Sequence, residues 1–156
     1  MDIGNELGLI FCESLTEIVS TFSGFSLDVL PSEDSADGND NNLYDITGVM
    51  GLNGKKSAVL FLSMNENDIR LLCSYMIGAS IDEITKNEIE DALCELVNMT
   101  AGSVKLRLSG SEYIFNLSSP FVLRSQNLRI IAKNKTNIIS KVIGNGEITI
   151  KLRVVY

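Results

Sequence analysis

The segment Leu15-Thr-Glu17-Ile-Val-Ser20-Thr-Phe-Ser-Gly24 returns as Leu93-Cys-Glu95-Leu-Val-Asn98-Met-Thr-Ala-Gly102, displaced by 78 residues in a chain of 156. Leucine, glutamate, valine and glycine coincide. Hairpin signals recur as well: Asn53-Gly54 and Asn145-Gly146 each stand between apolar, β-prone runs, and such pairs mark tight turns. Strands joined by hairpins must pair antiparallel. The repeat therefore predicts an α+β fold, a pseudo-twofold repeat of a helix plus three strands, with a largely antiparallel sheet packed by long helices. The pseudo-repeats cover about 5–64 and 85–156, with a helix at 65–78 between them, and the length suits one domain over 1–156.

Local patterns supply the elements. A helix is expected over 5–23, with Leu7, Ile10, Phe11, Leu15, Ile18, Val19 and Phe22 inward, ended by Gly24. Phe25 to Leu30 alternates as a strand up to Pro31. Residues 32–42 carry four carboxylates and no apolar side chain larger than alanine, which predicts a mobile surface loop; the spacing and closing glutamate of a calcium loop are absent. Strands follow at 43–51 and 56–63 about a turn at Leu52-Asn53-Gly54-Lys55. A helix capped by Asn65 runs to Ile77, with Ile69, Leu72, Cys73 and Met76 inward. A long helix spans Thr85 to about Leu108. Short strands are expected at 113–117, 121–124 and 128–132, and a closing hairpin at 137–143 and 147–155.

Composition removes several chemistries. The chain has no histidine and no tryptophan, which excludes Ser-His-Asp and Cys-His catalysis and histidine-based zinc sites. Cys12, Cys73 and Cys94 form no CxxC pair and lie in apolar helical patterns, so buried reduced thiols are expected. No apolar run approaches the ~20 residues of a membrane span, and Asp2 and Glu6 stand where a signal peptide carries Lys or Arg. A cytoplasmic location follows. The net charge is −7, with 4 basic and 18 acidic residues in 1–102 against 9 and 2 in 103–156. Lys151 and Arg153 alternate with Leu152 and Val154, which predicts the outward face of a strand and no nucleic-acid surface.

The long helix holds the candidate site. Thr85-Lys-Asn-Glu88 is a capping box. From it, Ile89, Leu93, Leu96, Val97, Thr100 and Val104 recur as one buried stripe. At about 100° per residue, Glu88, Asp91, Glu95, Asn98 and Gly102 share the opposite side within roughly 80°. A solvated helix face is normally filled with Lys, Glu, Gln and Arg; these five positions include no Lys, a mid-helix Asn, and a Gly that leaves the surface bare. Glu95 and Asn98 stand one turn apart, a carboxylate beside a carboxamide on a docking face.

Asp91-x3-Glu95-x2-Asn98, with Pro120 22 positions after the Asn, resembles the active-site signature of the CheC/CheX/FliY phosphatases, which dephosphorylate the chemotaxis response regulator CheY. Asp45-Ile-Thr-Gly-Val-Met-Gly-Leu-Asn-Gly, Met76-Ile-Gly and Glu95 to Lys105 are similar to the CheX branch, so most of the chain is covered. CheC-type members carry the Glu/Asn pair in both repeat helices; this chain keeps Glu17 but has Ser20, and so resembles the one-site form. The resemblance implies Glu95 and Asn98 as the catalytic pair, with Asn98 orienting a water and Glu95 accepting from a partner lysine. It implies Asp91, Gly102 and Pro120 as partner-binding positions. The implied partner is a phosphorylated CheY-type regulator that holds the divalent metal, so no cofactor or metal of this chain's own is expected; a homodimer is. The alternative is a non-catalytic binding module for a response regulator or a flagellar or signalling partner.

Overall fold

A computed structural model describes residues 3–31, 44–126, 128–131, 133 and 136–156. In chain order the elements are α1 (Ile3–Ser23), β1 (Asp28–Leu30), β2 (Ile46–Gly54), β3 (Ala58–Met64), α2 (Glu66–Ile77), a 3-10 turn (Ile81–Glu83), α3 (Lys86–Arg107), β4 (Phe115–Leu117), β5 (Phe121–Arg124), β6 (Ile138–Gly144) and β7 (Thr149–Val155). The strands form one seven-stranded antiparallel sheet in the order β1-β6-β7-β3-β2-β4, with β5 pairing β2 beside β4. The order reads the same from both ends: β3 and β7 pair at the centre, β2 and β6 flank them, and short strands close both edges. This is the pseudo-twofold the repeat predicts. Each helix packs on the other repeat's strands, α3 over β2 and α1 over β6.

Period-two burial explains the sheet. Leu60, Leu62 and Met64 of β3 and Ile150, Leu152 and Val154 of β7 are buried in register and meet Leu15, Val19, Leu93, Leu96 and Val97 from the helices. On α1, Leu7, Phe11, Leu15 and Val19 are buried, and Ile10, Ile18 and Phe22 pack half-buried against them. Cys12 is buried as expected, and Ser14 joins the buried set, which the apolar pattern missed. All three cysteines are free, Cys12 and Cys73 buried and Cys94 half-buried. Burial pushes the Cys12 thiol up to about 11. Asn65 caps α2 by accepting from the Asn67 amide, and Gly78 closes it in the left-handed conformation. Among the described residues, no helix is long and apolar enough to cross a membrane.

Four expectations need correction. The Asn53-Gly54 pair is not the hairpin turn: β2 runs through Gly54 because β4 pairs with it there, Asn53 opposite Asn116 and Gly54 opposite Phe115. A Cβ on Gly54 would lie 2.5 Å from the Ile114 carbonyl oxygen, so this glycine serves close chain approach and the turn falls at Lys55–Ser57. Residues 128–131 are irregular, not a strand; β4 and β5 already occupy the free edge of β2, and a strand without a ladder partner is not stable. The strand expected over 25–30 is confined to Asp28–Leu30, the span that pairs with β6. Lys151 is buried and Arg153 half-buried rather than outward in solvent, because β7 is a central strand. Arg153 donates to the Ser63 hydroxyl at 3.2 Å, and burial lowers its basicity. The acidic stretch 32–42 lies outside the described residues.

Candidate functional site

The capping box that starts α3 is formed on both sides. The Thr85 hydroxyl accepts from the Glu88 amide at 3.2 Å, and the Glu88 carboxylate accepts from the Thr85 amide at 2.7 Å. That backbone bond holds the Glu88 carboxyl below the usual carboxylate range. All six expected stripe residues, Ile89, Leu93, Leu96, Val97, Thr100 and Val104, are buried. The Thr100 hydroxyl, unable to reach solvent, donates to the Leu96 carbonyl at 2.7 Å.

Burial of that stripe decides where the polar face points. Asp91, Glu95 and Asn98 are exposed, and Glu88 and Gly102 half-buried. Glu95 and Asn98 sit three residues apart on one helix and so project together. Neither side chain has a hydrogen bond or ion pair to a described residue. A Cβ on Gly102 would meet nothing within 4 Å, so the surface beside Asn98 is open as well as flat. Pro120 is half-buried in the segment leading into β5.

Three attachments that the sequence pattern did not reveal hold α3 in place. Gly48 of β2 lies directly under it: a Cβ there would come within 2.5 Å of Val97 Cγ2 and 3.0 Å of Leu93 Cγ. Arg124 of β5 donates from Nε to Glu90 and from Nη1 to Glu66, both at 2.7 Å, and so joins β5, α3 and α2. The bond from Arg124 to Glu66 holds that carboxyl below the usual carboxylate range. At the other end, Arg107 donates to Glu13 at 3.0 Å and to Glu17 at 2.6 Å, tying α3 to α1. A glycine inside a strand is a sign of close backbone approach, and Glu13 and Glu17 at i,i+4 could have been read as a cation-binding pair. The Arg124 bridge left no local signal, because its partners lie 34 and 58 residues away.

Among the described residues, no three or more Asp, Glu or Cys side chains gather as a donor set for a metal ion. The polar face of α3 offers the Asp91 and Glu95 carboxylates and the Asn98 carboxamide, exposed to an approaching molecule. The sequence model of the chemotaxis phosphatase CheX family matches residues 46–142, more than half of the chain. The chain belongs to that family.

Solved structures agree on the fold. A chemotaxis protein CheX from Vibrio vulnificus superposes with a TM-score of 0.81 at 19% identity, covering 99% of this chain and 98% of its own. A CheC-like superfamily protein from a Shewanella species gives 0.80 at 23% identity, with the same coverage. The CheX of a CheX–CheY–BeF3–Mg complex from Borrelia burgdorferi gives 0.69 at 12% identity, covering 94% of this chain and 96% of that one. Among curated proteins, none matches the chain by sequence.

Proposed function

We propose that this CheX-family chain accelerates hydrolysis of the aspartyl phosphate on a CheY-type response regulator, with the exposed face of α3 as the catalytic surface. The observation that carries this reading is the pair Glu95 and Asn98, exposed, one turn apart and with side chains unengaged by any described residue, in a family of chemotaxis phosphatases. That a CheX was solved with a CheY bearing beryllofluoride and magnesium supports the choice of partner.

Phosphoryl transfer asks for positioning more than covalent chemistry: a water must lie in line with the breaking P–O bond. The Asn98 carboxamide can donate to and accept from one water without titrating, and so holds it oriented in the regulator's site. Glu95 accepts from a lysine of the regulator, a charge-assisted bond that sets the register of the complex. Asp91 adds negative charge on the same face, Gly102 leaves room for close approach of the partner, and Pro120 shapes the segment into β5. The divalent ion belongs to the regulator. Pairing of two chains through the sheet edges is part of the same reading and is checked by sedimentation.

The test is phosphate release from CheY-type regulators of the same organism, each phosphorylated and mixed with the chain. At least one is expected to lose its phosphoryl group faster with the chain than alone. Binding of phosphorylated regulators with no change in their decay favours the second reading, a module that docks without hydrolysing, for which the same exposed face suffices.

A further inference from the structure

Met99, Gly102, Ser103 and Leu106 stand at i, i+3, i+4 and i+7 of α3, the four corners of a hole of the kind that takes a side-chain knob from a facing helix. We propose that this hole seats an apolar side chain from a helix of the phosphorylated regulator, making it a second anchor next to Glu95 and Asn98. The inference rests on the reading that α3 docks such a regulator, and it adds what the regulator must present there.

Two features mark the hole as built for something outside the chain. A glycine in a helix interior costs about 1 kcal/mol relative to alanine, and Gly102 lies within α3 with five helical residues still to follow it. No described residue requires it: its φ is not positive, and an added Cβ would touch nothing within 4 Å. The walls are the second feature. Leu106 is 78% exposed, more than any other large apolar side chain described, and Met99 is 37% exposed. Single exposed leucines are ordinary; a leucine and a methionine two turns apart with a bare glycine between them form a shaped apolar surface.

Continuity with the proposed catalytic face identifies the occupant. Met99 is the residue after Asn98, and Gly102 lies one turn beyond Asn98 on the same side. Whatever meets Asn98 therefore also covers the hole. A cation held by Glu95 at one end and an apolar knob at the other fix both the position and the rotation of the regulator along α3, which a water aimed by Asn98 requires. The partner is accordingly a regulator with an exposed Leu, Met, Ile or aromatic side chain on a helix beside its phosphorylation site.

The experiment uses the full chain with a CheY-type regulator, loaded with beryllofluoride and Mg2+ for affinity and phosphorylated for turnover. Filling the hole with Gly102→Leu is expected to raise Kd by about tenfold or more, the effect of losing a central anchor, while the unfolding midpoint stays level or rises. Leu106→Gln is expected to raise KM severalfold, far more than it lowers kcat. Wild-type affinity for both variants, alongside lost hydrolysis in Asn98→Ala, overturns the hole and leaves the proposed activity standing. Self-association lost in Leu106→Gln with regulator affinity unchanged also overturns it, giving the hole to a second copy. Undiminished hydrolysis in Asn98→Ala overturns the activity itself.

Discussion

The helices α1 and α3 carry one repeated pattern, yet their outward faces have opposite fates. On α3, Glu95 and Asn98 are exposed, and no described residue engages their side chains. On α1, the matching glutamate, Glu17, is held by Arg107 together with Glu13, and Ser20 replaces the carboxamide. The cation that captures Glu17 comes from the last turn of α3 itself, so one repeat helix engages the outward glutamate of the other. The repeated glycine is also put to different use: Gly24 follows the end of α1 with φ +75°, whereas Gly102 lies inside α3 over open space. A repeat thus preserves packing in both halves while the exposed positions diverge.

Breaking the comparison at its centre has the largest expected effect. Asn98→Ala lowers the accelerated dephosphorylation on the order of 100-fold, the scale of a lost positioning contact, while Ser20→Ala leaves it unchanged; phosphate-release rates at saturating chain check both. The seats of the two helices differ next. Gly48→Val forces β2 and α3 apart, since even its Cβ meets Val97 at 2.5 Å, and overpacking of that kind costs about 1–3 kcal/mol or more. Gly8→Ala meets Ile139 of β6 only at 3.2 Å, so its urea midpoint moves less than that of Gly48→Val.

The two glutamates separate in binding. Glu95→Ala weakens association with the regulator by about 1–3 kcal/mol if the bond to the partner is desolvated, and titration calorimetry at two salt concentrations reads both the loss and its screening. Glu17→Ala leaves the affinity unchanged. Arg107→Met frees Glu17 at a stability cost below about 1 kcal/mol, because the bridge is exposed on the glutamate side. Combined with Ser20→Asn, it should give α1 a weak second docking face, seen as a rise in regulators bound per chain.

The smallest effect is a pH dependence at the Arg124 bridge. The Glu66 carboxyl is held below its ordinary range chiefly by the hydrogen bond from Arg124. A depressed folded value means the stability is present above the ordinary glutamate value and is lost as pH falls through the folded one. Arg124→Gln is therefore less stable than the wild type near neutrality, and the gap closes in acid. Denaturant midpoints across the acid range check the sign.

Much of this was legible because it is written locally. The capping box at Thr85 and Glu88, the buried stripe of α3 and the repeat of Glu17 with Glu95 all depend on spacing within one or two turns. What spacing could not carry was anything decided across the sheet. Asn53-Gly54 has the chemistry of a turn, but β4 arrives from over sixty residues away and keeps it in a strand. Lys151 and Arg153 alternate like solvent-facing residues, but the central place of β7 buries Lys151 and half-buries Arg153. Around the site, the polar face was readable, and its supports at Gly48, Arg124 and Arg107 were not, because each acts on a distant element.

The most direct measurement is a structure of this chain with a CheY-type regulator carrying beryllofluoride and Mg2+. The account predicts the regulator seated on α3, with the Asn98 carboxamide pointing at the in-line face of the beryllofluoride through one water, each contact near 3 Å, and a regulator lysine on Glu95. A regulator bound to α1 or to a sheet edge, with Asn98 turned away from the beryllofluoride, contradicts it.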